Sequence, residues 1–337
     1  MVSFTAKGRR AWTAGAALAA LGACVVLLSL NTGSMSIPPL SVLRTLLGFG
    51  SPDENLVLFE YRLPRILVTA MAGIGLGISG AILQGLSRNA LADPGILGLN
   101  AGAGFGLMIF VSFFASMKGP VSLLIPLFAF GGAVLSAGLI LLLAYDRRLG
   151  MTPIRLILTG IAVAAGFSAL TLFLSLQLDE DTYAFASRWL AGSVWGRAPE
   201  HAAALLPWIA VFVPYTLLQA RALNAFSLGD EVAAGIGLPV NRQRILLLLA
   251  AVALSSASVA MAGGIGFLGL LAPQLARRLA GNSHQHLLPL AGLIGMTVLT
   301  AADTAGRTLF LPSSIPAGVV VAAVGAPYFL YLLTRTK

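Results

Sequence analysis

Histidines, clustered glycines and charges set among apolar residues are the features of this chain able to carry chemistry. Of its three histidines, His284 and His286 are separated by one residue, a spacing that can hold a metal ion. No third ligand adjoins them: Asn282, Ser283 and Gln285 flank the pair, and His201 is distant in sequence. All three fall in loops or at the ends of apolar segments, and for the His284/His286 pair a solvated loop is expected. Gly102-Ala103-Gly104-Phe105-Gly106 has the glycine density of a phosphate-binding loop. Such a loop needs a Gly-Lys pair to reach the phosphates, and none occurs in the 337 residues. The chain does not bind ATP in that manner, and no ATP, Mg or other cofactor site is expected in it. Cys24 is the single cysteine and lies in an apolar run, so it supports neither an internal disulfide nor a multi-cysteine metal site. An intramembrane hydrolase would need a clustered acid, base or metal set, and no such cluster is apparent.

Two charged groupings remain. Arg62-Leu63-Pro64-Arg65 and Arg307 stand at the ends of apolar segments, and Asp303 precedes Arg307 by four residues, a helical spacing that lets the two pair. Ser227-Leu228-Gly229-Asp230-Glu231-Val232-Ala233-Ala234-Gly235-Ile236-Gly237-Leu238-Pro239 has the pattern of a short capped helix. Ser227 and Asp230 fit the N-terminal cap, Glu231 adds to the acidic first turn, and Gly235 or Gly237 with Pro239 ends the helix.

The elements that must position these groups follow from composition. Hydrophobic residues are 58% of the chain and charged ones 10%, far below the roughly 25% of a soluble domain. Most of the surface therefore faces something other than water, and the class is a polytopic, all-α membrane protein. The net charge of +9 does not indicate nucleic acid, because the basic residues are scattered between apolar runs without aromatic interleaving. A helix needs about 20 mostly apolar residues to cross the hydrocarbon core. Ten spans are expected, near 11–30, 66–86, 96–114, 121–144, 154–177, 203–219, 245–263, 267–280, 287–305 and 316–333. The first reads as a retained helix, since its run is long enough to span and Leu30-Asn31-Thr32-Gly33 is a poor cleavage site. The eighth is short and reads as partial or re-entrant, which membrane depth tolerates only inside protein or beside a watery cavity.

With the N-terminus in the cytoplasm, 14 of the 21 basic residues fall on the inner side and 7 on the outer, the expected inward bias. Lys7, Arg147, Arg148, Arg335 and Lys337 belong to the inner set, and Lys118 to the outer. Both termini are then cytoplasmic, and the whole chain, 1–337, is one membrane domain. Asp230 to Gly237 lies on the longest inner loop, where either a soluble partner grips it or it merely connects spans. Arg62, Arg65 and Arg307 fall outside, against the charge bias. They either snorkel to lipid headgroups or form a cationic face for an acidic partner. The outer segment 178–202 opens with Asp179-Glu180-Asp181 and carries Trp189 and Trp195, suited to an interfacial helix.

Gly73, Gly77, Ala81 and Gly85 recur every four residues in the second span. Small residues at that spacing let another helix approach closely, beside a pathway or simply in the bundle. Gly73-Ile74-Gly75-Leu76 is echoed by Gly264-Ile265-Gly266-Phe267 on a span of opposite direction, as an inverted repeat would require. An ion-coupled secondary transporter would want ionisable residues inside the bundle, and Asp303 is the one candidate.

Several stretches together resemble a known family. They are Arg62-Leu63-Pro64-Arg65, Ser79-Gly80-Ala81-Ile82-Leu83-Gln84 with Arg88-Asn89-Ala90-Leu91-Ala92-Asp93-Pro94-Gly95-Ile96-Leu97-Gly98, and Gly229 to Gly237. Gly264-Ile265-Gly266-Phe267-Leu268-Gly269-Leu270, Ala302-Asp303 with Arg307, and Gly325-Ala326-Pro327-Tyr328-Phe329 complete the set. In order and spacing the chain resembles the permease subunits of binding-protein-dependent ABC importers for ferric siderophores, haem and vitamin B12, the FecCD-type permeases. The resemblance implies a ten-helix subunit of a bacterial plasma membrane, paired with a second permease around a central pathway. It implies two cytoplasmic ATPases that bind ATP and Mg and grip the loop from Asp230 to Gly237. It also implies a substrate-loaded binding protein whose acidic residues meet Arg62, Arg65 and Arg307. Ala90, Gln274 and Ser314 depart from the family's proline, histidine and glutamate, which would suit one half of a heterodimer.

Overall fold

A computed structural model describes residues 6–33, 37–95, 98–114, 121–146, 150–309 and 313–335. Ile96 and Leu97 of the motif, and Lys118, Arg147, Arg148 and Lys337 of the charge count, lie outside the described residues; of Lys7 and Arg335 only the backbone is described.

The protein is all-α apart from a two-residue antiparallel pairing of Tyr145–Asp146 with Gly150–Met151. All ten expected spans are helices: α1 (Ala6–Asn31), α4 (Leu63–Ser87), α5 (Leu99–Phe113), α6 (Leu124–Ala144), α7 (Pro153–Ser175), α9 (Pro199–Leu218), α12 (Val240–Ala262), α13 (Leu268–Ala280), α14 (His284–Thr308) and α15 (Ala317–Arg335). Between them lie α2 (Pro39–Leu46), α3 (Pro52–Asn55), α8 (Glu180–Leu190), α10 (Ala220–Leu228) and α11 (Asp230–Gly235). Seven of these segments are long and apolar enough to cross a bilayer; α5 and α15 are shorter, and α13 has 13 residues. The fourth helix is longer than its sequence suggested. A π-helical segment, Leu56–Arg62, joins it to α3, so helix runs unbroken from Pro52 to Ser87.

Burial sorts the helices into centre and rim. Within its most apolar stretch α4 is 78% buried, whereas α7 and α1 are 17% buried. Ile154, Leu158, Leu172 and Phe173 of α7 are exposed, which suits lipid or another subunit and not water. The packing also repeats. α4 packs on α14 as α12 packs on α6, α5 on α6 as α13 on α14, and α6 on α7 as α14 on α15. This relates α4–α7 to α12–α15 as inverted halves. The Gly-Ile-Gly echo is not the mark of that relation. Gly73 to Leu76 lie in mid-helix, whereas Gly264 to Phe267 form the break before α13, opened by Gly263 (φ 82) and closed by Phe267 (φ 64).

That break explains the short eighth span. Gly80 of α4 lies against the Gly269 carbonyl, so α13 begins seven residues above the end of α4, well inside the bundle. The chain between α4 and α5 does the same from the other side. It enters through Asp93-Pro94-Gly95, turns at Gly98 (φ 83), and starts α5 where Asn100 Nδ2 donates to the Ile265 carbonyl at 3.1 Å. Two half-length helices thus start back to back inside the protein. Neighbouring chain satisfies their irregular backbone: Ser136 Oγ donates to the Gly98 carbonyl at 2.9 Å.

Candidate functional site

The face on which α1 begins is called proximal, the opposite face distal. At the distal end of α4, Arg65 grips Asp303 of α14 through two donors on one edge of its guanidinium, Nε at 2.8 Å and Nη2 at 2.7 Å. Asp303 is 2% exposed. Arg307, the partner expected from the four-residue spacing, approaches it only to 3.8 Å. Arg307 instead donates to Ser29 Oγ at 2.8 Å and to the carbonyls of Ser29 and Thr32, while Arg62 donates to the Leu30 carbonyl. These carbonyls lie in and just beyond the last turn of α1, where a helix leaves acceptors unsatisfied and carries partial negative charge. The three arginines therefore form one cluster, as their shared side predicted, and part of it is committed to fastening α1. Arg62 is buried, and the side chains of Arg65 and Arg307 retain 17% and 12% exposure.

Arg197, counted in the sequence with the outer basic residues but given no role there, is a further buried distal arginine. Set between α8 and α9, it is 9% exposed, and burial pushes its pKa down to about 10, which leaves it charged at neutral pH. Asp179 caps α8 by accepting from the Thr182 backbone N–H at 3.1 Å, which holds its carboxyl below the usual range. Of the two tryptophans expected at the interface, Trp195 is exposed and Trp189 is core.

At the proximal face α11 forms as a separate helix, but not with the expected cap. Ser227 lies in the last turn of α10, its hydroxyl donating back to the Leu223 carbonyl at 3.1 Å. Gly229 starts α11, at φ 116 and ψ 154, a conformation open to glycine. Asp230 is held by Arg244 Nη2, 2.7 Å from each carboxylate oxygen, and by Arg88. Arg88 ends α4 in the left-handed region (φ 51) and also donates to the Phe226 carbonyl at 2.8 Å. Neither partner was legible, since each is remote from Asp230 in sequence. Glu231, Gly235 and Gly237 are exposed and Ala233 is buried; Leu228, Val232 and Ile236, four residues apart, stand out as exposed apolar side chains.

The small-residue stripe joins the two faces. A methyl on Gly73 would lie 2.4 Å from the Gly295 carbonyl, and one on Gly77 2.3 Å from that of Ala291. Both belong to α14, so the two backbones touch there. Ala81 is fully buried, and Gly85 makes room for His284. The solvated-loop reading fails for His284, and His201 is buried as well. His284 is buried with its Nδ1 2.9 Å from Asn224 Oδ1, and His201 is buried with Nε2 3.0 Å from the Ser122 carbonyl. Both stand at helix starts; His201 is fully satisfied, its Nδ1 also accepting from the Ala198 backbone N–H at 3.2 Å, whereas the buried Nε2 of His284 has no hydrogen-bond partner.

A bundle with paired half-helices inside it, a bracketed helix on one face and an arginine cluster on the other is the build of a membrane transport permease. The FecCD transport family model matches residues 18–335, and the chain belongs to that family. It is 46% identical to the iron(3+)-hydroxamate import system permease protein FhuG of Bacillus subtilis (strain 168), over 93% of this chain and 94% of that one. It is 38% identical to the Fe(3+) dicitrate transport system permease protein FecD of Escherichia coli (strain K12), covering 94% and 96%. Among solved structures it resembles an ABC transporter of metal-chelate type in an inward-facing conformation, with a TM-score of 0.81, 30% identity, and 95% and 98% of the two chains covered.

Proposed function

We propose that this chain is the membrane subunit of an ABC importer that carries ferric siderophores into the cytoplasm. The 46% identity to an iron(3+)-hydroxamate permease over 93% of the chain carries the cargo class. The chain contributes the pathway and no covalent chemistry; a separate ATPase binds ATP and Mg and supplies the energy. The proximal face is cytoplasmic, in the bacterial plasma membrane, and α11 with its exposed Val232 and Ile236 is the contact for that ATPase. A second permease covers the exposed apolar rim. A siderophore-loaded binding protein docks on the distal face, its acids meeting the exposed edges of Arg65 and Arg307 beside Arg62.

Reconstitution with the partner subunits tests the reading. ATP-dependent uptake of radiolabelled ferric hydroxamate into vesicles should be abolished by vanadate and survive collapse of the proton gradient. Uptake that follows the proton gradient and ignores vanadate would point to a secondary transporter. Docking is tested by binding-protein affinity for the intact transporter at low and high salt, since several exposed pairs steer encounter and weaken with screening. Charge reversal of the matching acids should restore part of the affinity lost in Arg65→Glu. Affinity indifferent to salt would remove the arginines from the docking surface.

A further inference from the structure

A cavity of about 580 Å³ opens between the N-terminal halves of α1 and of α14. Ala11, Gly15 and Ala19 line it on one side, His286, Pro289 and Leu293 on the other. Its walls are nearly all apolar, and its polar residues, Gln285 and His286, lie at the proximal end. From Ala11 to Ala19 the helix climbs about 12 Å at 1.5 Å per residue, within one leaflet of a hydrocarbon core about 30 Å thick. The cavity thus has the polarity and depth of a single leaflet, with its mouth at the headgroup level.

Charge at the mouth is of one sign. Arg9 and Arg10 directly precede Ala11 and are exposed, as is Arg278, whose carbonyl accepts from Arg10 at 3.4 Å. Neither α1 nor α14 has an acid in its first turn, and among the described residues no carboxylate pairs with Arg9 or Arg10. Trp12, 69% exposed beside them, is suited to the interface. We propose that this cavity holds an acyl chain of one anionic glycerophospholipid of the proximal leaflet, with its phosphate on Arg9 and Arg10. A zwitterionic lipid would bring its own ammonium among these guanidinium groups and bind less well. The site rests on the membrane reading and, for naming the leaflet, on the proposed orientation. It does not depend on the cargo.

Native mass spectrometry of the assembled transporter, offered phosphatidylglycerol and phosphatidylethanolamine with identical chains, tests this without reading transport. The wild type should retain one phosphatidylglycerol per permease, preferred at least about fivefold, as one arginine near an anionic headgroup gives. Arg9→Gln with Arg10→Gln, on an exposed surface, should bring the two lipids to parity without abolishing occupancy. Gly15→Leu has space to grow, since its Cβ would meet only Leu290, at 3.8 Å. It should expel both lipids, whereas Gly131→Leu, with nothing within 4 Å, should not. A preference that survives the double arginine variant would overturn the proposal. So would a disulfide between Trp12→Cys copies in membranes, which would seat a second copy in the cavity.

Discussion

Arg65 and Asp303 show what one ion pair does when it is nearly dry. Breaking a buried pair by removing one partner typically costs 3–5 kcal/mol. Arg65 keeps some exposure and Arg307 stands 3.8 Å from the same carboxylate, so Arg65→Gln should cost less, about 1–3 kcal/mol. The melting temperature of the complex should fall for Arg65→Gln and recover in part in Arg65→Gln with Asp303→Asn, where two neutral amides can still bond. A double variant no more stable than the single one would mean the pair is not what holds α4 to α14 at that end. Gly77 is governed by contact, not charge. Gly77→Ala already drives a methyl to 2.3 Å from a backbone carbonyl, so the helices must separate at an overpacking cost of about 1–3 kcal/mol or more. Gly131→Ala meets open space and should leave the melting temperature unchanged.

α11 is an element whose aim is set by its ends. Gly229 gives it direction through a conformation closed to other residues, and Asp230 ties it to α4 and α12 through Arg88 and Arg244. Gly229→Ala should therefore re-aim the helix, and Gly235→Pro should break its last turn. Both variants should assemble, keep basal ATP hydrolysis and lose ATP-driven uptake; normal uptake in both would remove α11 from the coupling path. Reversal of Asp230 and Glu231 acts differently, because it places like charge against Arg88 and Arg244 and should loosen α11 from the bundle. For α8, a depressed folded-state carboxyl pKa contributes stability present above the unfolded value and lost as pH falls through the folded one. Asp179→Asn should keep the cap and remove that acid dependence, read by amide exchange over α8 between neutral and acid pH.

At the scale of the molecule, α4 spans the distance between the two faces. Its 25 residues cover roughly 37 Å at 1.5 Å each, with Arg65 at one end and Arg88 just past the other. The orientation assigned to those faces is checked with single cysteines on a Cys24→Ser background. Phe49→Cys should react with a membrane-impermeant maleimide from outside intact cells, and Ile236→Cys only after permeabilisation. The reverse labelling would invert the topology.

The sequence by itself determined the class, the ten spans and the family, because those depend on local hydropathy and on motifs written in consecutive residues. It placed Arg62, Arg65 and Arg307 together for the same reason: each stands at the end of a span on one side. What it could not hold is which groups meet across helices. Four-residue spacing offered Arg307 to Asp303, and the two stand 3.8 Å apart, but Arg65, 238 positions away, makes the closer contact at 2.7 Å. Ser227 has the right type for a cap, yet a residue already inside a helix spends its hydroxyl on the turn behind it. His284 and His201 look like loop residues until folded neighbours supply Asn224 and the Ser122 carbonyl. The inverted halves likewise left no mark in the Gly-Ile-Gly echo and appear only in which helix packs on which. Hydrophobicity is a sum over a segment and survives in one dimension; a hydrogen bond requires two particular atoms within about 3 Å, and only the packed bundle decides which two.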